Sequence, residues 1–168
     1  MTGRTHATIG VSEAMAIALL SPQVPPVLLG ALVVGSVLPD LDVAGSFISN
    51  KTKINLSFLW HRKILHSLVG ALLLSLPFLL LKSYIGVFSV YLTEGLFLGC
   101  ITHLVLDSFT VSGIAWFYPF SKKKLKGRIK TGGIWDTVFL VFGVGSIFVF
   151  VNFLEGSKLA LLLTHFLK

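Results

Sequence analysis

The feature that most limits what this chain can become is a succession of five apolar runs, at residues 5–20, 27–43, 64–81, 84–111 and 134–153. A helix needs roughly 17–25 apolar residues to cross the hydrocarbon core of a bilayer, and these runs fall near that length. SPQVPP at residues 21–26 ends the first run. A polar loop at 45–62 follows the second, and SKKKLKGRIK at 121–130 precedes the fifth. The run at 84–111 is long for one span and reads as a short entry segment followed by a helix at 93–111. Residues 158–168 read as a short amphipathic, interfacial tail. Composition agrees with this reading: 54% of the residues are hydrophobic and 12% charged, whereas a soluble domain carries about 25% charged residues. The expected fold is all-α, a polytopic membrane helical bundle of about five transmembrane helices, with 1–168 as a single integral membrane domain. Cys100 is the sole cysteine, which excludes an internal disulfide and a thiolate metal cluster. The first run holds Glu13 and lacks a small-residue cleavage site, so no cleavable signal peptide is expected.

The net charge of +7 is expected to reflect basic loops facing anionic lipid and the cytoplasm, not a nucleic-acid partner. With a cytoplasmic N-terminus and five spans, Arg4 and the loops 45–63 and 113–133 share one side. They carry 11 of the 14 basic residues, leaving only Lys82, Lys158 and Lys168 elsewhere. The bilayer is therefore an expected partner, and the expected location is the cell (inner) membrane, multi-pass, with the N-terminus in the cytoplasm.

Within GCITHLVLDSFT, residues 99–110, His103 and Asp107 are four apart. On a helix that spacing stacks them on one face, where an imidazole and a carboxylate can reach one metal ion. Ionisable groups inside a membrane helix are costly and normally face the bundle interior for a function. The same topology brings further groups to that depth. His6 opens the first span, Asp40 and Asp42 in LPDLD close the second, and His61 and His66 in WHRKILHS flank the start of the third. His103 and Asp107 lie toward the corresponding end of the fourth, and Asp136 opens the fifth. Four of the five histidines and four of the seven acids thus gather at one end.

Imidazole and carboxylate without sulfur suit one or two divalent ions, zinc foremost, with manganese or magnesium as alternatives. Such a centre activates water for displacement at a phosphoester. Arg62, beside His61, is placed to meet a phosphate oxygen, and Asp136 joins it among the groups expected to act in the chemistry. Plainer readings accompany each piece: a hydrogen-bonded His103–Asp107 pair, a polar helix end at LPDLD, and a snorkelling Lys63. Trp60, Trp116 and Trp135 read as interface-belt residues, and His165 as interfacial and inert.

His6, GSVLPDLD (35–42), HRKILHS (61–67), GCITHLVLDSFTVSGIAWFYPF (99–120) and RIKTGG followed by Asp136 occur in this order. Together they resemble the membrane-bound metal-dependent hydrolases of the YdjM type over most of the chain. The resemblance implies His6, Asp40, Asp42, His61, His66, His103 and Asp107 as the metal site. It departs from the usual pattern at Val43, where the family continues with His, and at Leu65, where it has Thr. More distantly, the order His, Asp, His, His-x-x-x-Asp is similar to the zinc-dependent phospholipase C and single-strand nuclease superfamily, which implies phosphodiester hydrolysis. The expected function is a membrane-embedded metal-dependent hydrolase acting on a phosphoester, lipid-like substrate through metal-activated water. The alternative is a non-enzymatic protein that binds or carries metal ions or protons through the same cluster. Transport requires polar groups along a path to the opposite face, where Glu94 and Glu155 are the only acids, so one-sided clustering favours the hydrolase.

Overall fold

The computed structural model describes residues 1–42 and 64–166. Five helical elements carry the described chain: α1 (Gly3–Leu20), α2 (Pro26–Gly35), α3 (Leu68–Ile85), α4 (Val87–Ser108) and α5 (Ile134–Phe166). Among the described residues there is no strand, only two isolated bridges, Thr110 with Ile129 and Ile114 with Leu125. Three helices, α3, α4 and the Ile134–Gly156 part of α5, are long and apolar enough to cross a membrane. The other two are shorter or more polar. α1 carries Arg4, His6 and Glu13, and α2 extends only about 15 Å at its 10-residue length.

Local chemistry sets the boundaries. Thr2 caps α1 by accepting from Thr5 N, and Pro26 starts α2 with its ring-fixed φ and no N–H to satisfy. The run expected as one span at 27–43 divides in two. α2 stops at Gly35, and the chain tightens into a 3₁₀ turn at Leu38–Asp42, because Pro39 has no N–H for a continuing helical ladder. α3 is composite for the same reason. Its α-helical Leu68–Ser75 gives way to a 3₁₀ stretch, Leu76–Leu81, around Pro77, and then to a helical turn at Lys82–Ile85. Gly86, with φ +60°, makes the sharp corner into α4. α4 is continuous from Val87, so there is no separate entry segment before residue 93. Residues 158–166, expected as a separate tail, continue α5 as helix, since no proline interrupts it.

The packing is ordered around α4, half of which is buried. α2 lies along it through small residues. A Cβ on Gly35 would strike Leu96 O, and Cβ atoms on Gly95 and Gly99 would strike the carbonyls of Leu28 and Leu32. Such contacts let two backbones approach far closer than leucines would allow. On the other side, Ala71 of α3 meets Cys100 and Leu104 of α4 and Ile114 of the following loop, with Trp116 packed against them. α5 packs on α1, where Gly143 faces Thr8 and Ile9. Only 6% of its spanning part is covered by protein. The remainder presents Val141, Phe142, Phe148 and Val149, a surface suited to lipid.

Candidate metal centre

α1, the 3₁₀ turn after α2, the approach to α3 and the end of α4 meet at one end of the bundle. α4 contributes His103 and Asp107, one turn apart on a shared face as their spacing predicts. His103 is fully buried, and its Nδ1 donates to Ser36 O at 2.8 Å. That bond exists because Gly35 and Gly99 bring the end of α2 against α4. It fixes the tautomer, leaving Nε2 as the lone-pair nitrogen that faces the cluster.

His66 enters from the opposite side, held immediately before α3. Ser67 donates to Ile64 O at 2.6 Å and accepts from Gly70 N at 3.2 Å, so the helix cap itself sets the histidine in place. Leu65 is half-buried beside it. Asp40 arrives on the 3₁₀ turn behind the buried ring of Pro39. Four atoms then form a cage of two triangles that share an edge: Nε2 of His66 and Nε2 of His103 meet Oδ1 of Asp40 in one and Oδ2 of Asp107 in the other. The two nitrogens are 3.3 Å apart. Asp40 Oδ1 is 3.6 Å from His66 and 3.8 Å from His103, and Asp107 Oδ2 is 3.9 Å and 3.7 Å from the same nitrogens. Ligand atoms that share a tetrahedral ion at roughly 2.0–2.2 Å stand about 3.3–3.6 Å from one another. Each triangle has edges near that size, with slight expansion at the carboxylates.

His6 lies fully buried beside this cage. Its ring stacks on His103 with centroids 3.8 Å apart, and its Nε2 is 3.1 Å from Asp107 Oδ1. The Met1 amine also pairs with Oδ1, so the two oxygens of Asp107 face different partners and Oδ2 is left for the cage. His6 Nδ1 is buried with no hydrogen-bond partner among the described residues, the kind of group a bound ligand satisfies. His6, Asp40 and His103 form one group able to hold an ion, and His66, His103 and Asp107 another. Both use His103, which offers only Nε2 because Ser36 occupies Nδ1. One ion can therefore be held there, and a second would have to use other residues.

The carboxylate side is the open one. Asp40 and Asp107 keep 13% and 16% of their side-chain surface exposed, against 5% and 0% for His66 and His103. Solvent has an approach along that edge.

The remaining expected site residues fare differently. Asp42 closes the 3₁₀ turn, but its side chain lies outside the described part, and His61, Arg62 and Val43 lie outside the described residues. Asp136 is almost wholly buried, yet the contacts it makes are not with the cage. It accepts from Thr5 Oγ1 at 2.6 Å, Gly132 N at 2.7 Å and Thr2 N at 3.0 Å, tying the start of α5 to the start of α1. Its carboxylate is occupied by fastening, a role the sequence reading did not give it. Ser36, in contrast, was absent from that reading. Its contribution is a backbone carbonyl, which no side-chain motif reveals.

Comparison with known proteins adds a lineage to this geometry. The sequence profile of the YdjM inner membrane protein family matches residues 1–167. The chain belongs to that family. An uncharacterized protein, YvsG of Bacillus subtilis (strain 168), is 30% identical over 145 residues, covering 83% of this chain and 88% of that protein. No solved structure matches. Membership in this family and the three long apolar helices make the chain an integral membrane protein, and its His/Asp cluster is one that could hold a metal ion.

Proposed function

We propose that this YdjM-family protein is a membrane-embedded metal-dependent hydrolase acting on a lipid-like phosphoester. The observation that carries the proposal is the cage in which two imidazole nitrogens 3.3 Å apart are each met by two carboxylate oxygens at 3.6–3.9 Å, open along its acidic edge. His66, His103, Asp40 and Asp107 would hold the ion, and zinc suits an imidazole and carboxylate donor set best. The chemistry such an ion supplies when bound is Lewis-acid: acidification of water and neutralisation of charge on a phosphoryl oxygen. The protein's own groups do the rest. Ser36 O holds the His103 tautomer, His6 orients Asp107 through Oδ1, and the imidazoles of His6, His66 and His103 are buried. Arg62 is assigned to the phosphate on the sequence alone, with Asp42 and His61 as further ligands on the same footing. The distribution of lysine and arginine supports placing this end of the bundle in the cytoplasm.

Purified protein tested on a panel of phospholipids and generic phosphodiesters, with zinc, manganese or magnesium added, checks the proposal. Turnover should depend on the metal and fall to background in Asp107→Ala. Arg62→Lys should keep the metal and lose about tenfold in turnover, the scale of one bond to a charged group. Metal flux in proteoliposomes that responds to Glu94→Gln, with no turnover on any substrate, would instead establish the conduit.

A further inference from the structure

Between Ser108 and Ile134 the chain carries no acid and six cations, Lys122, Lys123, Lys124, Lys126, Arg128 and Lys130, all exposed. This segment is a built element and not a loose basic tether. Ile114 and Leu125 exchange backbone bonds in both directions at 3.0 and 2.9 Å. Ile129 N bonds Phe109 O at 3.0 Å, and Val111 N bonds Ile129 O at 2.9 Å. Gly127 sits so close to Phe109 that a Cβ would strike its carbonyl. The fold-back leaves a cleft of about 340 Å³ lined by Trp116, Phe117, Ser121, Lys123, Lys124 and Leu125. That volume lies within the usual range for a small-ligand site, about 300–1,000 Å³.

The lining is divided chemically. Trp116, Phe117 and Leu125 supply an apolar wall, and Phe117 and Leu125 are 63% and 58% exposed. Lys123 and Lys124 border this largely apolar cleft, and both are exposed with no acid nearby in sequence. A ligand that fits both parts is anionic at one end and hydrocarbon at the other. The cleft is also joined to the metal centre. Trp116 Nε1 donates to Ser108 Oγ at 2.8 Å, and Trp116 O accepts from Leu68 N at 2.8 Å. Ser108 follows Asp107, and Leu68 begins the helix that His66 precedes, so both ligand-bearing elements are pinned to the aromatic wall.

We infer that this cleft binds an anionic glycerophospholipid, its phosphate on Lys123 and Lys124 and an acyl chain along Trp116, Phe117 and Leu125. Its service as the place where substrate waits beside the metal centre rests on the hydrolase reading; the lipid binding does not.

The test uses the full chain in nanodiscs of phosphatidylcholine, with Trp60→Phe and Trp135→Phe so that Trp116 reports alone. Acyl-brominated phosphatidylglycerol and acyl-brominated phosphatidylcholine are compared at equal mole fraction as quenchers. The anionic lipid should be enriched at Trp116 by about fivefold for each lysine, the factor a basic residue contributes at such a surface. Lys123→Glu with Lys124→Glu should remove the preference, and Arg at both positions should keep it. Where the double-Phe variant loses helical signal, the difference between wild type and Trp116→Phe gives the same reading. Equal quenching by the two lipids, or a preference unchanged by the Glu pair, would overturn the inference. So would displacement by inorganic phosphate at matched phosphate concentration, which would make the cleft a site for a free anion. A preference that persists in Asp107→Ala with no turnover in wild type would leave lipid binding standing and remove the hydrolase.

Discussion

A single backbone carbonyl governs the centre of this molecule. By accepting from His103 Nδ1, Ser36 O decides that Nε2 faces His66, Asp40 and Asp107. The sequence made His103 and Asp107 legible, because two polar residues four apart in an otherwise apolar helix have no cheaper explanation than a shared use. It could not reveal Ser36, whose side chain is incidental to the bond. Asp136 is expected to act in the chemistry because it stands at the same membrane depth as the ligands, and depth does not record which neighbours claim a carboxylate. Three donors claim this one. Asp136→Ala should therefore lower stability by about 2–3 kcal/mol, as those buried donors lose their acceptor, while metal content per folded molecule stays unchanged. Thermal unfolding in detergent and metal analysis on the same sample measure both. A stable variant that has lost its metal would contradict this fastening role.

At the scale of elements, the ligands come together because α2 can lie almost backbone to backbone on α4. The apolar runs were visible in the sequence as spans, but a hydropathy pattern cannot say which pair approaches most closely. That depends on where small residues face each other across two helices. Nor could it show that proline would divide 27–43 and reshape 64–85, since the hydrophobic pattern continues through both breaks. A methyl group on Gly99 must push Leu32 O and Ser36 N away. Gly99→Ala should cost about 1–3 kcal/mol through this overpacking and weaken metal retention, because Ser36 O moves with α2. Gly30→Ala, where a Cβ meets nothing within 4 Å, should leave metal unchanged and add about 0.5–1 kcal/mol of helix stability. Parallel melts and metal titrations of the two variants separate a close-packing role from a general dislike of substitution. Equal behaviour of the two would contradict the packing account.

For the whole molecule, His6, Asp40, His66, His103 and Asp107, spaced over a hundred residues of sequence, are gathered by four separate elements at one end of the bundle. The sequence could show that convergence because topology alone places helix ends on the same side. It could not give the spacing of the ligand atoms, which depends on caps, on a 3₁₀ turn and on one tautomer. The most direct test of the account is elemental analysis of the protein purified without added metal, beside His103→Ala and Asp107→Ala made and folded in the same way. The wild type should carry about one equivalent of a divalent transition metal, as a cage of this donor set and size implies, and both variants should have lost it. A folded wild type that holds no metal even after exposure to zinc and manganese, or variants that retain the full equivalent, would contradict it.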